Sequence, residues 1–408
     1  MTYRDAVGYL YSLGNEVHTA KLGLERISCL LDELGNPQRA CRFVHVAGTN
    51  GKGSTCAMIE AGLRAAGVHT GLYTSPHLVE PTERIRIAGE IVSEDRFAAA
   101  FDRVHRTAEA MLHAGRLDMH PTYFETVTAM GFLLFREEGV DTVVLEVGLG
   151  GRLDATNVVH PELCVITPID YDHQAFLGPR LTDIAAEKAG ILKPGVPAVV
   201  APQYPEVMDV LRSRGAPLIR TDDFPIEDAV LTPYGSRFRA AGMTVDCPLA
   251  GEHQEQNALA AALALRQLGC PAHGIAQTRW PGRLERVGEN PEIILDGAHN
   301  LAGARALARY IERFYFGRRI WIVYGVMRDK AVAEMTGLLF PLAERVVATA
   351  PHSARALRPD EIPGEHIEHT ATVADALDLI RREAFPTDVV FITGSLFLVG
   401  EARALLAG

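Results

Sequence analysis

The sequence predicts an α/β protein with two domains, each built around a mainly parallel sheet covered by helices. Three observations support this prediction. β-branched runs alternate with amphipathic segments, chain-breaking residues cluster at one place, and the composition is that of an ordinary globular protein. Strands that alternate with helices of this length are typical of βαβ units. With 408 residues, 48% hydrophobic and 22% charged, the chain is long enough for two or three domains with large cores.

The predicted strands are short and rich in β-branched residues, at positions 43–46, 142–147, 163–167, 197–200, 292–295, 319–326, 345–348 and 388–393. Amphipathic periodicity predicts helices at positions 53–66, 124–138, 254–268 and 301–314. Residues 229–249 alternate with period two instead, and we predict antiparallel hairpins there. Breakers in Gln277–Arg283 and Gly288–Pro291 place the boundary between a first domain, residues 1–284, and a smaller second domain, residues 285–408.

Charge and cysteine usage limit the class of protein. Lys and Arg number 40 and Asp and Glu number 51, which gives a net charge of -11. This balance argues against a protein held mainly on nucleic acid or on an anionic membrane. The six cysteines are widely spaced, without a metal-binding pattern, and are expected to be reduced. With no signal-peptide pattern and no long apolar run, we expect a cytoplasmic protein.

A glycine-rich loop is the strongest functional signal. The predicted strand at 43–46 leads into Gly48-Thr49-Asn50-Gly51-Lys52-Gly53-Ser54-Thr55, and a predicted helix follows. Glycines let backbone N–H groups converge on an anion, the helix N-terminus adds positive potential, and Lys52 can reach terminal phosphates. The pattern departs from the common phosphate loop, since Val46 replaces its first glycine and Gly53 separates Lys52 from Ser54. The alternative is a glycine-rich turn without a ligand.

Two further residues follow core strands in the way that magnesium ligands do. Glu146 ends the predicted strand at 142–147, and His173 follows the strand at 163–167. An acid at the carboxyl end of a strand beside a phosphate loop is the usual arrangement for holding Mg²⁺. Adjacent parallel strands present their C-terminal loops at the same edge of a sheet. A lone histidine is more often structural, and that alternative stays open for His173.

Several segments together resemble folylpolyglutamate synthase/dihydrofolate synthase, a branch of the Mur ligase family. The resemblance extends from about residue 20 to residue 400. It rests on Gly48–Ser54, Thr74-Ser75-Pro76-His77-Leu78, Glu83–Ile87, Leu145–Asn157, His253-Gln254-x-x-Asn257-Ala258, Pro281-Gly282-Arg283 and Asp296-Gly297-Ala298-His299-Asn300. The Ser-Pro-His-Leu and Glu-Arg-Ile segments are specific to the folate branch. Departures at Pro81, Tyr171 and Leu301 remove no charged or liganding group.

The resemblance implies a fold and a reaction. The fold is an N-terminal phosphate-loop ATPase domain of the Mur ligase type with a smaller Rossmann-like C-terminal domain. The reaction is ATP-dependent ligation of L-glutamate to dihydropteroate, to the γ-carboxylate of reduced folates, or to both, through an acyl phosphate. ATP and Mg²⁺, the latter at two sites, are the implied cofactors. We expect a monomer that has no nucleic-acid or membrane partner.

The resemblance also assigns roles to residues. ATP contacts would come from Asn50, Gly51, Lys52, Gly53, Ser54, Asn257, Arg283 and Asp296. Metal ligands would be Ser75, Glu146, His173 and a carbamylated Lys188, and the pterin would contact Leu22, Gly23, Leu24, Thr122, Tyr123, Phe124, Glu125, Leu153, Asp154 and Ala155. Catalytic roles would fall to Lys52, Lys188, Asp296, His299 and Ser395, the last two near the acyl phosphate or glutamate.

Purely structural explanations are the alternatives for Lys188 and for Ser395 with His299. A lysine near a helix end, like Lys188, usually only complements the helix dipole. Ser395 is equally well explained as a helix-capping serine, with His299 as a structural histidine.

Two other functions remain open. A cell-wall Mur ligase would need a further N-terminal domain for a uridine nucleotide, and residues 1–47 precede the loop. A phosphate-loop NTPase switch would give the Asp-Gly-Ala-His-Asn segment no obvious role.

Overall fold

The computed structural model describes residues 1–13 and 23–407 and has the α/β architecture that the sequence predicts. Its strands are β1 Arg42–Ala47, β2 Thr70–Tyr73, β3 Ile85–Ile87, β4 Glu90–Ile91, β5 Thr142–Glu146, β6 Leu163–Ile166, β7 Ala198–Val200, β8 Leu218–Arg220, β9 Glu227–Thr232, β10 Gly235–Ala240, β11 Met243–Cys247, β12 Glu285–Glu289, β13 Glu292–Asp296, β14 Ile320–Tyr324, β15 Arg345–Ala348, β16 Ile367–His369 and β17 Val389–Thr393.

Helices connect most of these strands and cover the sheets. They are α1 Tyr3–Ser12, α2 Glu25–Glu33, α3 Lys52–Ala65, α4 Glu94–His113, α5 Tyr123–Glu137, α6 Gln174–Leu177, α7 Leu181–Lys188, α8 Pro205–Arg212, α9 Glu252–Gln267, α10 Leu301–Phe314, α11 Val332–Leu339, α12 Val373–Glu383 and α13 Leu396–Ala407. Four of these helices and eight of the strands match the predicted positions within one or two residues.

The chain divides into two compact units. The first comprises Met1–Glu227, Arg239–Val245 and Gln256–Gln277, and the second comprises Asp228–Phe238, Asp246–Glu255 and Thr278–Gly408. The units therefore change over at Gln277 and Thr278, a little before the boundary predicted at residue 284, and short segments between residues 228 and 255 alternate between them. The domain limits of 1–284 and 285–408 remain a prediction.

An eight-stranded sheet with the order β4-β3-β2-β5-β1-β6-β7-β8 forms the centre of the first unit. The six strands β2, β5, β1, β6, β7 and β8 pair parallel with one another in that order. At the other edge, β3 pairs antiparallel with both β2 and β4. β1 lies between β5 and β6, and all residues of these strands except Arg42 are buried. Burial on both faces explains why these strands are continuous apolar runs. The loop after β1 consequently starts from the most protected part of the sheet.

A six-stranded sheet with the order β12-β13-β17-β14-β15-β16 forms the core of the second unit. Only β12 pairs antiparallel with its neighbour in this sheet, and the remaining pairs are parallel. The carboxyl ends of β13 and β17 lie side by side, since Asp296 is paired with Thr393. Residues 227–247 form a separate three-stranded sheet with the order β11-β10-β9, where the sequence predicts hairpins.

The long apolar runs and the cysteines can be compared with the expectations from composition. Across residues 1–13 and 23–407, no helix combines the length and apolar character required to cross a membrane. The six cysteines are all unpaired; Cys56, Cys164 and Cys247 are buried, whereas Cys29 is exposed. Cys41 and Cys270 are partly buried.

Candidate functional site

The glycine-rich loop is shaped by two glycines that no other residue could replace without moving a neighbour. Gly48 has a φ of 149°, and a Cβ there would lie 1.9 Å from Oγ1 of Thr167. Gly51 has a φ of 88° and immediately precedes α3. The loop is anchored to the end of β6, since Thr49 N donates to Pro168 O at 2.9 Å and Thr49 Oγ1 donates to Asp170 O at 2.9 Å. This geometry is that of a loop built to receive an anion at a helix N-terminus.

Two lysines converge on the loop. Lys52 Nζ donates to Thr49 O at 3.1 Å, and Lys188 Nζ donates to Gly48 O at 2.8 Å. Lys188 is the last residue of α7, the position where a lysine complements the helix dipole, and only 6% of it is exposed. Burial, followed by repulsion from Lys52, lowers the pKa of Lys188 from 10.5 to about 7, against the opposing influence of Asp172 and Asp154. The amine is therefore unusually ready to lose its proton.

Asn257 contacts the same loop from α9. A Cβ on Gly51 would lie 2.3 Å from Asn257 Oδ1, which means that the amide packs directly against the loop backbone. Asn257 is 5% exposed. The next residues of the loop, Gly53 and Ser54, form the first turn of α3, where Ser54 is buried. The predicted ATP contacts of this region are thus brought together, with Asn50 tied by its N–H to Pro168 O at 3.4 Å.

Three strands deliver the proposed metal ligands Ser75, Glu146 and His173 to one edge of the sheet. Ser75 follows β2, Glu146 ends β5, and His173 follows β6, on either side of the loop after β1. Ser75 N donates to Glu146 Oε2 at 3.1 Å. Ser75 Oγ is buried and accepts or donates no hydrogen bond to any part of the chain that the structure describes. A buried hydroxyl without a partner is costly and indicates a ligand position.

His173 lies at the start of α6 in a left-handed conformation with a φ of 52°. Its N–H donates to Asp172 Oδ1 at 2.9 Å, and its Nε2 lies 3.9 Å from the same oxygen. The left-handed conformation and the hydrogen bond of the backbone N–H shape the turn between β6 and α6. About 30% of its side chain is exposed, so it remains accessible to an ion.

The N-terminal end of α5 carries part of the predicted pterin-contacting set. Thr122 and Glu125 form a reciprocal capping box, in which Thr122 N donates to Glu125 Oε2 at 2.8 Å. Arg26 pairs with the same oxygen at 2.8 Å, in an ion pair that is nearly buried. Phe124 packs so closely on the loop after β5 that a Cβ on Gly148 would lie 2.5 Å from its ring. Gly23 and Leu24 precede α2, and Leu22 lies outside the described residues.

The Asp154 carboxylate is hydrogen-bonded to neighbouring residues of its own loop. It accepts hydrogen bonds from Gly148 N and Leu149 N, and from both the N–H and the hydroxyl of Thr156. His45 Nε2 lies 2.9 Å from that hydroxyl. Burial raises the pKa of Asp154, although these hydrogen bonds act in the opposite direction. The side chain therefore holds the loop after Glu146 in place, and the predicted contact of Asp154 with substrate would have to come through that loop or through neighbouring Leu153 and Ala155.

Around the predicted pterin-contacting residue Tyr123, the structure groups three residues that sequence reasoning did not propose for the site, namely Tyr11, His77 and Arg84. Arg84 Nε donates to His77 Nδ1 at 2.9 Å, and the Arg84 guanidinium lies 5.1 Å from the centroid of the Tyr123 ring. Tyr11 stacks on Tyr123 with centroids 6.0 Å apart, and its hydroxyl is 3.3 Å from His77 Nε2. Burial and Arg84 lower the pKa of His77 to about 3. Both His77 and Arg84 lie in segments that carry the family resemblance, which was the available signal.

The predicted residues of the second unit lie at the carboxyl ends of β13 and β17, and we call Arg283, Asp296, His299 and Ser395 the C-terminal edge. Asp296 accepts hydrogen bonds from Leu284 N and Ala298 N, both at 3.0 Å. Burial raises the pKa of Asp296, with Arg283 acting against it. A Cβ on Gly297 would lie 2.3 Å from Arg283 Nη1, so the arginine crosses this turn directly. Asp296 and Arg283 are thus brought together.

His299 and Ser395 have local partners. His299 Nδ1 lies 2.9 Å from Gly297 O. Ser395 Oγ accepts from Leu398 N at 3.1 Å in the first turn of α13, and Ser395 is 2% exposed. This hydrogen bond supports the interpretation of Ser395 as a capping serine.

The chain is similar to known proteins in both sequence and structure. Residues 46–265 match the Mur ligase middle domain, and residues 282–396 match the Mur ligase glutamate ligase domain. The chain is 36% identical over 433 residues to the dihydrofolate synthase/folylpolyglutamate synthase of Bacillus subtilis, covering 99% of each protein. It is also 36% identical to a probable bifunctional folylpolyglutamate synthase/dihydropteroate synthase of Haloferax volcanii, of which it spans only 50%. A solved structure of E. coli FolC in complex with DHPP and ADP superimposes with a TM-score of 0.87 at 33% identity, covering 100% of this chain and 98% of that one.

Proposed function

The chain belongs to the Mur ligase family, in the branch of folylpolyglutamate synthase and dihydrofolate synthase, and we propose that it ligates L-glutamate to a pterin carboxylate with ATP. The observation that carries the proposal is the phosphate loop, which is held open by Gly48 and Gly51 and flanked by Lys52, Lys188 and Asn257. A loop with this shape and charge is suited to a polyphosphate. Related solved structures were obtained with nucleotides, namely E. coli FolC with ADP and Mycobacterium tuberculosis folylpolyglutamate synthase with ADP and AMPPCP.

We place the phosphate groups of ATP over Asn50–Ser54 at the N-terminus of α3. Backbone N–H groups of this loop would bind phosphate oxygens, and the Lys52 ammonium would exchange its bond with Thr49 O for the terminal phosphate. Asn257 would fix the loop and contact the nucleotide from α9. Neutralisation of the charge that develops on the transferred phosphoryl group is the main contribution that such residues make.

Mg²⁺ fits the residues at this edge of the sheet. Ser75 Oγ is buried without a partner, and the carboxylate of Glu146 lies next to the N–H of the same serine. Hydroxyl, carboxylate and imidazole groups are compatible ligands, so Ser75, Glu146 and His173 would hold the ion. When bound, Mg²⁺ would polarise the phosphate and screen its charge.

The reaction then has two steps, for which the chain supplies binding and orientation. A pterin-linked carboxylate attacks the γ-phosphorus of ATP, ADP leaves, and an acyl phosphate forms. The amine of glutamate attacks the acyl carbon, phosphate leaves, and the amide nitrogen loses a proton. The α5 end with Tyr123 and Phe124 would bind the pterin, because Phe124 packs on the loop that follows Glu146. Proximity of the bound carboxylate to the terminal phosphate is the advantage gained.

Lys188 is proposed to carry a carbamate. Its neutral amine attacks CO₂, the C–N bond forms, and one proton is released, which leaves an N–H and an anionic carboxylate. The remaining N–H can keep the hydrogen bond to Gly48 O that Nζ makes at 2.8 Å. The change replaces a buried cation beside Lys52 with an anion, so that repulsion becomes attraction. A second Mg²⁺ could then be held by the carbamate.

For the second unit we carry over Arg283 and Asp296 as nucleotide contacts and His299 as a residue near glutamate. The proximity of Arg283 to the Asp296 turn supports the first pair. Ser395 is the weakest member of the set, because its hydroxyl already caps α13.

Substrate-resolved product analysis tests the proposal. Purified protein is incubated with Mg²⁺, ATP and glutamate, and with either dihydropteroate or a reduced folate, and products are identified by mass spectrometry. Addition of one glutamate mass to either pterin, with stoichiometric ADP, is expected. ATP hydrolysis that is independent of both pterin and glutamate would instead indicate an NTPase switch, and ligation only to a uridine-linked carboxylate would indicate a cell-wall ligase.

A further inference from the structure

A cluster of three potential metal ligands lies on α4 and in the segment that connects it to α5. His105 and Glu109 are one turn apart on α4, and His120 lies just before Thr122, the residue that caps α5. One ligand atom from each residue lies within 4.8 Å of the other two. Within residues 1–13 and 23–407, no other group of three or more His, Cys, Asp or Glu side chains meets this criterion. The three residues are separate from the proposed catalytic ligands.

The histidine rings are oriented before any ion arrives. His120 Nδ1 lies 2.9 Å from Pro121 O, which directs its Nε2 toward Glu109 Oε1 at 3.6 Å. The His105 ring stacks on Phe101 at an interplanar angle of 7° and lies 4.5 Å from the Tyr9 ring. A hydrogen bond from the distal nitrogen to a backbone carbonyl is the usual support for a metal-binding histidine.

Two nitrogens in the cluster lack hydrogen bonds. His105 Nδ1 and His120 Nε2 are both buried and make none to any described residue. Glu109 is 38% exposed, which gives an ion a route from solvent and leaves room for water ligands.

We propose that His105, Glu109 and His120 form a structural Zn²⁺ site. Two imidazoles and one carboxylate, with water completing a tetrahedron, suit zinc better than Mg²⁺, which prefers oxygen ligands. Ligand atoms of one tetrahedral zinc lie about 3.4 Å apart, so side-chain movements of about 1 Å would close the cluster. The ion would tie the segment 114–121 to α4 and thereby fix the α5 end that bears Thr122 and Glu125.

Zinc titration of the purified protein in excess Mg²⁺ tests this site. The wild type is expected to bind one equivalent of Zn²⁺ and to melt at a higher temperature when it is bound. Cobalt substitution should give the visible absorption of a tetrahedral ion. His105→Gln and His120→Gln should each weaken binding on the order of 100-fold. The matched control is His113→Gln, which removes an exposed histidine of the same helix and should bind zinc like the wild type.

Three outcomes would overturn the assignment. The wild type could fail to bind zinc, the double variant His105→Gln/His120→Gln could bind as tightly as the wild type, or bound zinc could disappear on His173→Ala instead. If a histidine variant does not fold, Glu109→Gln keeps the size of the side chain, removes its charge, and gives the same comparison. These results do not depend on ligase activity, so failure here leaves the proposed reaction intact.

Discussion

The two units carry similar groups at the carboxyl ends of parallel strands, but they satisfy them differently. At the C-terminal edge, Asp296 accepts hydrogen bonds from two backbone N–H groups, and the Ser395 hydroxyl accepts one from Leu398 N in α13. At the phosphate loop, Ser75 Oγ has no partner in the described chain, and two lysines donate to adjacent carbonyls. Repulsion between those lysines is strong enough to contribute to the lowered pKa of Lys188. The loop therefore has a buried hydroxyl and two close ammonium groups that an anion and a metal would complete, whereas Asp296 and Ser395 at the C-terminal edge already have backbone partners.

The largest expected effect comes from removing the ammonium group of Lys52, which we place at the terminal phosphate. Lys52→Ala should lower ligation by at least ~10³-fold and abolish tight ATP binding, because no other side chain of α3 replaces its charge at the phosphates. Product formation and nucleotide titration measure both effects. Lys193→Ala, which removes a half-buried lysine bonded to Asn157 in the same unit, is the control and should still bind ATP. Near-normal ligation by Lys52→Ala would remove the phosphate-loop assignment.

Lys188 distinguishes an anionic site from a cationic one. Lys188→Ala should lower the rate on the order of 100-fold or more, because a metal ligand is lost. Short carboxylic acids should restore part of the rate, and removal of dissolved CO₂ should reduce wild-type activity. Lys188→Arg keeps a cation but cannot form a carbamate, so full activity of that variant would contradict the carbamate.

The metal ligands predict a change in Mg²⁺ requirement. Glu146→Gln and His173→Ala should each raise the Mg²⁺ concentration for half-maximal rate by about 10–100-fold, and high Mg²⁺ should partly restore activity. The measurement is a rate titration with Mg²⁺ at saturating ATP, alongside circular dichroism. Loss of activity with an unchanged Mg²⁺ dependence and a disrupted fold would favour a structural role.

The buried amine of Lys188 also predicts a pH dependence of stability. Its pKa is about 7 in the folded protein and near 10.5 when the chain is unfolded, so between these values the unfolded chain binds the extra proton. The free energy of unfolding should therefore rise from pH 7 toward pH 10.5, and this gain is absent below pH 7. Urea titrations in CO₂-free buffer should show the rise in the wild type and a smaller one in Lys188→Met. Identical slopes would contradict the burial of a free amine.

The smallest expected effects come from two serine substitutions, one at the C-terminal edge and one beside the phosphate loop. Ser395→Ala should cost about 1 kcal/mol of stability through loss of a helix cap, with little change in KM for ATP. Ser75→Ala should leave stability nearly unchanged, because its hydroxyl bonds to nothing in the described chain, but should raise the Mg²⁺ requirement. Thermal melts and Mg²⁺ titrations of both variants test the pair, and a reversed pattern would show that the comparison is wrong.

Apolar runs and glycine positions in the sequence were enough to predict the central strands and the loop after β1. β1, β5 and β6 are uninterrupted apolar runs because both of their faces are buried, and the loop that follows β1 has glycines at positions the backbone requires. β2 was missed because Gly71 interrupts its pattern. A Cβ at Gly71 would lie 2.7 Å from Phe135, so the reason for that glycine lies on a helix far along the chain.

The sequence could indicate which residues belong to the site, but not which other residues they contact. The segment around Lys188 was noticed through resemblance, yet its bond to Gly48 O joins residues 140 positions apart. Likewise, only the fold brings His120 next to His105 and Glu109, or Arg84 next to Tyr123. Hydrogen-bond partners across elements depend on packing, which periodicity and spacing do not encode.

The position of β1 between β5 and β6 has a consequence for the order in which the protein can be assembled during synthesis. Both neighbours of β1 follow it by about a hundred residues, and the loop contacts Pro168 and Asp170 only after β6 has been made. A ribosome-bound chain would expose an apolar strand with two unpaired edges until that stretch emerges, which is a hazard for aggregation. Because Lys188 and Asn257 come later still, nucleotide binding is expected to mark the late steps of folding.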